Sequence, residues 1–333
     1  MNWLLNRLTK SQDFLPNIYN TDYKKTVVIL YKTFPFFNPR WRWLRHTNNW
    51  EIFEITKIFN KKKYNVFLLD RSFNSFEKLP MKNSTTLFIG INGVGSGRRF
   101  PSIMKALGAN HNILLTTTEE PIVQRDKYLR CYSEFKHKTG FDINKKRLVS
   151  SYEIDQYKKV INEVDAFISI GNLRVLKEYQ KYNKDLWRWY PALDERVSFI
   201  ERKPSDAKHF LFIAGGGLVE KGLDVCIDAC IAADVTLHIC ASDDGYDDFW
   251  QHYTTLATNK IINHGFTNTS SKLFFNIARK CQFVISTSFS DASATSISLA
   301  MRTGLIPIVT LDTGHDVDGF GFEIDTGSVE SLA

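Results

Sequence analysis

Two stretches in the C-terminal half carry residue types that bind phosphate. The first is Ala214-Gly215-Gly216-Gly217-Leu218-Val219-Glu220-Lys221, where glycines let a ligand approach the backbone and Lys221 offers an ammonium. The second starts at Ser290-Asp291 and continues through the small residues 292–296 into a predicted helix, whose N-terminal N–H groups suit an anion. Alone, the glycines could form a flexible turn and Asp291 a helix N-cap. Together they predict one phosphate-binding site.

Further candidates lie in the N-terminal half. Gly95, Gly97 and Arg98 belong to a glycine loop beyond a predicted strand, which either holds a ligand phosphate or is a surface loop. Glu119 follows the next predicted strand, where it could orient a ligand hydroxyl or begin a helix. His46 is either a site histidine or a structural loop residue.

Strands that alternate with helices should position these loops. Short, β-branched apolar runs are typical of parallel strands covered on both faces. We therefore predict an α/β fold of two Rossmann-like, doubly wound parallel-sheet domains, residues 1–188 and 189–333, that face each other across a cleft. The sequence ends where a helix starts, so we expect the closing helix of the second domain to be missing or cut short. The predicted strands are Thr26–Tyr31, Val66–Asp70, Thr86–Gly90, Ile113–Thr116, Ala166–Ile170, His209–Ala214, Thr236–Cys240, Ile261–Asn263, Phe283–Ser286 and Ile306–Val309.

Charge is distributed unevenly along the 333 residues. Residues 1–200 contain 34 lysines and arginines against 19 acidic residues, a balance of +15, whereas the remaining residues contain 9 against 17, a balance of −8. A basic half predicts an anionic partner such as lipid headgroups, an anionic glycan or nucleic acid, although it could also serve only solubility.

The segment 34–50 mixes aromatic residues with arginines. It either contacts an anionic membrane surface or packs on the domain edge. No apolar run reaches the ~20 residues of a membrane span. Five scattered cysteines without metal-ligand spacing predict a reducing, cytoplasmic location and no metal site.

Two motifs carry a family resemblance. The run Glu220-Lys221-Gly222-Leu223-Asp224 and, further on, Leu299-Ala300-Met301-Arg302-Thr303-Gly304-Leu305-Ile306-Pro307-Ile308-Val309 look like the retaining GT-B glycosyltransferases of family 4 (group 1), which act in polysaccharide and lipopolysaccharide biosynthesis. The resemblance covers about residues 209–325. The N-terminal half is similar only in architecture and in a His46–Glu51 stretch.

The resemblance implies roles for part of these residues. Lys221 would contact the diphosphate of a nucleotide-sugar donor, Ser293, Ala294 and Thr295 would donate N–H groups to it, and Asp291 would lie near the donor sugar hydroxyls. In the N-terminal half, Glu119 or Glu120 could orient an acceptor hydroxyl, and Glu119, His46 and Asp291 form the candidate catalytic set. The candidate donor-binding residues are Gly215, Gly216, Gly217, Lys221, Gly265, Phe266, Ser293, Ala294, Thr295 and Ser296, and the candidate acceptor-side residues are Gly95, Gly97 and Arg98.

Three departures from the family pattern stand out. Leu299 occupies the place of a ribose-binding glutamate, for which Asp312, Asp316 or Asp318 could compensate. The arginine that usually precedes the lysine falls within Gly215–Gly217 and is absent. Asp291 is one methylene shorter than the family glutamate.

The expected function is metal-independent, cofactor-free sugar transfer from a nucleotide-diphosphate-sugar to a glycan or lipid-linked acceptor. The expected place is the cytoplasm, at the inner face of the cell membrane. The alternatives are a non-catalytic relative that binds a nucleotide-sugar or a partner transferase, and a basic nucleic-acid-binding protein. The last lacks any recognisable nucleic-acid-binding motif, so no nucleic-acid partner is expected.

Overall fold

A computed structural model describes residues 13–37, 47–92, 94–193, 197–202, 208–242, 245–256 and 259–332. The chain forms two compact units. Unit 1 comprises residues 1–117, 149–169 and 179–192, and unit 2 comprises residues 118–148, 170–178 and 193–333. The last change of unit, at Ala192, lies close to the predicted boundary at residue 188, whereas two earlier segments of the chain also belong to unit 2. His46 and most of the aromatic, arginine-rich segment lie outside the described residues.

The described elements alternate as the sequence predicts. The strands are β1 (Phe14–Leu15), β2 (Lys25–Tyr31), β3 (Tyr64–Asp70), β4 (Leu87–Ile91), β5 (His111–Thr116), β6 (Ala166–Ile170), β7 (Asp185–Trp189), β8 (His209–Ala214), β9 (Thr236–Ala241), β10 (Ile261–Asn263), β11 (Phe283–Ser286), β12 (Ile306–Thr310) and β13 (Phe322–Ile324). The α-helices are α1 (Phe34–Phe37), α2 (Thr47–Lys61), α3 (Phe100–Leu107), α4 (Pro121–Thr139), α5 (Ser151–Glu163), α6 (Leu173–Gln180), α7 (Leu223–Ala232), α8 (Asp247–Leu256), α9 (Lys272–Lys280), α10 (Thr295–Arg302) and α11 (Val329–Leu332).

Unit 1 contains a seven-stranded sheet in the order β1-β3-β2-β4-β5-β6-β7. Strands β3, β2, β4, β5 and β6 run parallel, and β1 is antiparallel to β3. Val27 to Tyr31 in β2 are at most 1% exposed, as expected for a central strand covered by helices on both faces. In α1, Phe36 stacks on Phe53 of α2 with ring centroids 4.5 Å apart, so this ring packs within unit 1.

Unit 2 contains a six-stranded sheet in the order β10-β9-β8-β11-β12-β13, in which every pair is parallel. Two apolar clusters fill its core. The predicted two Rossmann-like α/β units are therefore confirmed, with each predicted strand found within one or two residues at either end. The sequence prediction missed β1, β7 and β13. Helix α7 begins directly after Gly222, which has φ +69°.

Three histidines line up across neighbouring strands of unit 2. His238 of β9 lies between His209 of β8 and His264, which follows β10, with ring nitrogens 3.0 Å apart in both pairs. Burial, followed by the charges of these two histidines and of Lys280, lowers the pKa of His238 to about 4. The folded protein therefore keeps this imidazole neutral well below the ordinary pKa of 6.5.

This depressed pKa predicts a loss of stability in mild acid. The unfolded chain takes up a proton at His238 near pH 6.5, but the folded chain does not until about pH 4, so stability falls as the pH drops through this window and is unaffected above it. The contribution at pH 5 is about 2 kcal/mol. The unfolding free energy of His238→Asn, measured at pH 7.5 and 5.0, should fall less than that of wild type. His111→Asn, at an exposed residue of unit 1, is the control and should keep the wild-type difference.

Candidate phosphate-binding site

The two phosphate-binding stretches predicted from sequence meet at one edge of the unit 2 sheet. Because all six strands are parallel, the loops after β8 and β11 leave the sheet at the same edge. These neighbouring strands are also where the strand order reverses, since the chain winds from β8 to β10 in one direction and from β11 to β13 in the other. A crevice at such a switch point is where open α/β sheets bind ligands.

Glu220 fastens the first loop to the second. Its carboxylate is fully buried and accepts hydrogen bonds from the hydroxyls of Tyr132 at 2.6 Å and Tyr246 at 3.0 Å. Its backbone carbonyl accepts from the Phe289 N–H at 3.1 Å and from the Ser288 hydroxyl at 3.4 Å. One residue thus joins α4, the start of α8 and both loops.

Lys221 and Asp291 are brought together by this arrangement. The Lys221 ammonium lies 2.5 Å from Asp291 Oδ2, and both side chains are about one-fifth exposed. The second oxygen of Asp291 accepts from the Ala292 N–H at 3.0 Å, and the Asp291 N–H donates to the Asp312 carbonyl at 2.7 Å. A cation and an acidic side chain therefore face the same accessible surface.

The sequence prediction missed a second cation at this site. The glycine loop leaves room for Arg147: a Cβ atom added to Gly217 would lie 2.6 Å from Arg147 Nε, and one added to Gly216 would lie 3.4 Å from a terminal guanidinium nitrogen. Arg147 comes from the segment 118–148 of unit 2 and is exposed. It stands seventy residues before Gly217 in the sequence, so no motif spacing could have placed it there.

Nearby Tyr128 reports the same grouping of charges. Burial and then the carboxylates of Asp291 and Glu220 raise the pKa of Tyr128 above its usual range, whereas Arg147 lowers it. Arg147 thus lies close enough to Asp291 and Glu220 to act on the same phenol.

The second loop presents backbone donors at the start of α10. The N–H groups of residues 293–296 have no hydrogen-bond acceptor among the residues that the structure describes. The loop is held by its surroundings: His315 Nε2 lies 3.0 Å from the Ala294 carbonyl, and a Cβ atom on Gly314 would lie 1.9 Å from the Ala292 carbonyl. Free N–H groups at a helix start can bind an anion.

Glu119 is placed differently from its predicted role. It is fully buried and forms ion pairs with Lys127 and with Arg174, at 2.5 Å from the latter. Both cations also pair with Asp312, at 2.6 and 3.0 Å, and the Asp312 carbonyl holds the Asp291 N–H. Glu119 therefore acts on the site through Asp312, as a positioning residue, and not as an exposed carboxylate.

Glu178 completes this ion-pair network. Burial and the adjacent charge of Glu119 raise the pKa of Glu178 to about 8, although Arg174 pairs with it at 2.7 Å. The two carboxyl groups therefore repel each other, and Arg174, which pairs with both, offsets this repulsion.

Leu299 lies in the apolar core of unit 2. It is 7% exposed and belongs to the cluster that includes Ile297 and Ala300. Of its predicted substitutes, Asp312 is committed to the ion-pair network and accepts a hydrogen bond from Thr326 at 2.6 Å, whereas Asp316 and Asp318 are exposed. The structure thus gives this position a packing role.

The remaining candidates are more dispersed. Gly265 has φ +65° and the adjacent Phe266 is 69% exposed, in the loop after β10 at the same edge of the sheet. Gly95, Gly97 and Arg98 lie in unit 1, beyond β4. Among the described residues, no group of three or more His, Cys, Asp or Glu side chains is placed so that it could hold a metal ion, and no helix is long and apolar enough to cross a membrane.

Comparison with solved structures identifies the fold class. Sucrose-phosphate synthase from Thermosynechococcus elongatus matches 92% of this chain over 88% of its own length, with a TM-score of 0.63 and 9% identity. HepE from Anabaena, solved with UDP and glucose, matches 93% of this chain over 88% of its own length, with a TM-score of 0.54 and 13% identity. TarM matches 76% of this chain, with a TM-score of 0.51 and 11% identity, and the match spans 47% of the length of TarM.

The two α/β units therefore have the GT-B fold of these structures. This confirms the fold that the sequence resemblance implied. No protein-family model and no curated protein sequence matches the chain.

The contact between Gly314 and the Ala292 carbonyl predicts an asymmetry between two glycines. Gly314 and Gly319 have φ +80° and +81°, but a Cβ on Gly319 would meet nothing within 4 Å. Gly319→Ala should cost about 1 kcal/mol of backbone strain. Gly314→Ala should cost clearly more, measured by urea denaturation, because it also displaces residues 292–293. Equal losses would show that this contact does not hold the loop.

The burial of Leu299 makes a second prediction. Leu299→Glu would place an unpaired carboxylate in an apolar cluster, so it should destabilise the protein by several kcal/mol and leave nucleotide affinity no higher. Leu299→Met, which keeps volume and polarity, should cost less than about 1.5 kcal/mol. Thermal melting distinguishes the two variants. A Leu299→Glu variant that melts like wild type and binds the nucleotide more tightly would contradict the assigned packing role.

Proposed function

We propose that the protein is a glycosyltransferase that moves a sugar from a nucleotide-diphosphate-sugar donor to a glycan or lipid-linked acceptor. The observation that supports this most directly is the convergence of Lys221, Arg147 and the free N–H groups of residues 293–296 at the switch point of a GT-B fold. Two of the similar structures, HepE and a mutant of TarM from S. aureus, were solved in complex with UDP. We therefore take UDP as the first nucleotide to test.

The chemistry of this reaction requires positive charge beside the leaving group. Breaking the glycosyl–phosphate bond leaves negative charge on the diphosphate, and fixed donors near that charge stabilise the transition state. Lys221 and Arg147 would supply two cations, and the start of α10 would supply dipolar N–H groups. In this proposal they serve in place of a metal ion, and the anomeric configuration is retained.

Asp291 has a second part in the proposed reaction. In the ligand-free protein its carboxylate neutralises Lys221. When a diphosphate binds the Lys221 ammonium, it replaces the Asp291 carboxylate there, and Asp291 can accept hydrogen bonds from the donor sugar. The Glu119–Lys127–Asp312 contacts keep its backbone in place during this exchange.

A nucleotide-sugar-binding protein without turnover is the second candidate. Leu299 favours it, since an apolar side chain packed in the core cannot bind the ribose hydroxyls. Incubation with a panel of UDP- and GDP-sugars separates the candidates: release of UDP or GDP supports the enzyme, whereas saturable binding with no release supports the second.

Removing either cation should weaken nucleotide binding. Lys221→Ala and Arg147→Ala should each raise the Kd for UDP about tenfold or more, because a charge-assisted hydrogen bond contributes about 1.5–3 kcal/mol. Isothermal titration calorimetry measures the change. Lys145→Ala is the matched control, since its ammonium pairs with Asp142 at 3.4 Å on the surface, and it should bind UDP as wild type does.

Asp291→Asn separates binding from turnover. It removes the carboxylate that pairs with Lys221, so UDP affinity should stay equal or increase while sugar release falls.

The activity of the wild-type protein should persist in EDTA. Unchanged UDP affinity in both cation variants would refute the assigned phosphate site, and loss of activity in EDTA would refute the metal-independent step.

A further inference from the structure

Unit 1 contains a groove that has no part in the phosphate site. Its volume is about 620 Å³ and it is lined by Arg98, Arg99, Pro101, Ser102, Ser150, Tyr152, Glu153 and Gln156. One wall is formed by the turn that precedes α3, which includes Gly95 and Gly97, and by the first residues of this helix. The other wall is the start of α5. All the lining residues belong to unit 1.

The groove presents uncommitted positive charge. Neither the Arg98 nor the Arg99 side chain forms an ion pair or a hydrogen bond with another described residue. Against the effect of burial, hydrogen bonds from Ser150 and Gly95 lower the pKa of Glu153, and the charge of Arg98 adds the smallest part. The Glu153 carboxylate already accepts from the Ser150 hydroxyl at 2.9 Å and from the Gly95 N–H at 3.1 Å. The free donors of the groove are therefore mostly cationic.

The groove is also built before any ligand arrives. The Gly95–Glu153 hydrogen bond ties the two walls together, and a capping box of Ser150 and Glu153 fixes the start of α5. A Cβ on Gly97 would lie 1.8 Å from the Ile91 carbonyl, so this turn packs directly against the end of β4 and has no space for a side chain at this position. A preformed site loses little conformational entropy on binding.

Its other side chains suit a sugar. Tyr152 is 72% exposed and offers an aromatic face, while Ser102 and Gln156 offer neutral hydrogen-bonding groups beside the arginines. Guanidinium groups bind carboxylates and phosphates in a bidentate manner. An exposed aromatic ring with amide and hydroxyl partners suits the apolar face and the hydroxyls of a sugar ring.

We propose that this groove binds an anionic oligosaccharide and that the acceptor of the proposed reaction is an acidic glycan. The role of this ligand as the acceptor rests on the proposed function. The binding of an anionic sugar chain to unit 1 is argued from the residues of the groove alone. The excess of basic residues in the first 200 positions agrees with such a ligand.

The experiment compares two probes of the same length. Tetragalacturonate carries four carboxylates, and its methyl ester carries none. Wild-type protein should bind tetragalacturonate at least about tenfold more tightly than the ester, with an affinity that decreases with salt. The double variant Arg98→Gln/Arg99→Gln should lose this preference, and Tyr152→Ala should weaken both probes. Lys105→Ala, at an exposed residue of the same helix α3, is the control for net charge and should retain the preference.

Other outcomes overturn the inference. Equal binding of the two probes would show that the groove does not select anionic sugars. Equal loss in the Lys105 control would reduce the effect to net charge. Competition by inorganic phosphate at equal concentration would show a simple anion site, and tighter binding of a dT8 oligonucleotide would indicate a nucleic-acid surface. UDP affinity is measured in every variant. If the protein binds UDP but does not select the anionic probe, the inference about the groove is wrong and the proposed function is unaffected. If it selects the anionic probe but does not bind UDP, the proposed function is wrong and the groove is unaffected.

Discussion

The candidate phosphate site depends on a buried carboxylate. Removing an ionised carboxylate from water is costly unless hydrogen bonds replace the lost hydration. Glu220 meets this requirement with two tyrosine hydroxyls, while its backbone carbonyl holds Ser288 and Phe289. The tyrosines come from α4 and from the start of α8, so four separate segments converge on one residue. Because Lys221 is the next residue, the same contacts fix its backbone, and the ion pair with Asp291 places its ammonium.

Ion pairs fix the opposite side of the site. Lys127 and Arg174 each bridge Glu119 and Asp312, and Asn172 donates to the Leu311 carbonyl at 2.9 Å. These contacts tie the loop after β12 to α4 and to the start of α6. The loop in turn holds Asp291 through a backbone hydrogen bond. Removing one member would leave the buried carboxylate of Glu119 or one of its cations with fewer partners, which is costly at a buried site.

The sequence predicted the strands and the loops well because both depend on local pattern. Contiguous apolar runs located ten of the thirteen strands in the described residues, and the missed strands are short, as in β1 and β13, or alternate polar with aromatic residues, as in β7. The loops followed from the strand ends. By contrast, the surroundings of Glu119 and Leu299 and the position of Arg147 are tertiary facts. A buried carboxylate and an exposed one have the same sequence signal, and nothing near residue 147 points to the glycine loop.

Arg147 and the three glycines are two sides of one arrangement. A side chain at Gly217 would occupy the space of the guanidinium, since a Cβ there already comes within 2.6 Å of it. A side chain at Gly217 would displace Arg147 from its place over the loop, and in this chain the second cation is this arginine. Positive charge is thus present although the motif is not. Leu299 itself cannot bind the ribose, because its side chain packs in the core. In the proposed function, donor affinity would therefore come mainly from the diphosphate, with little contribution from the ribose.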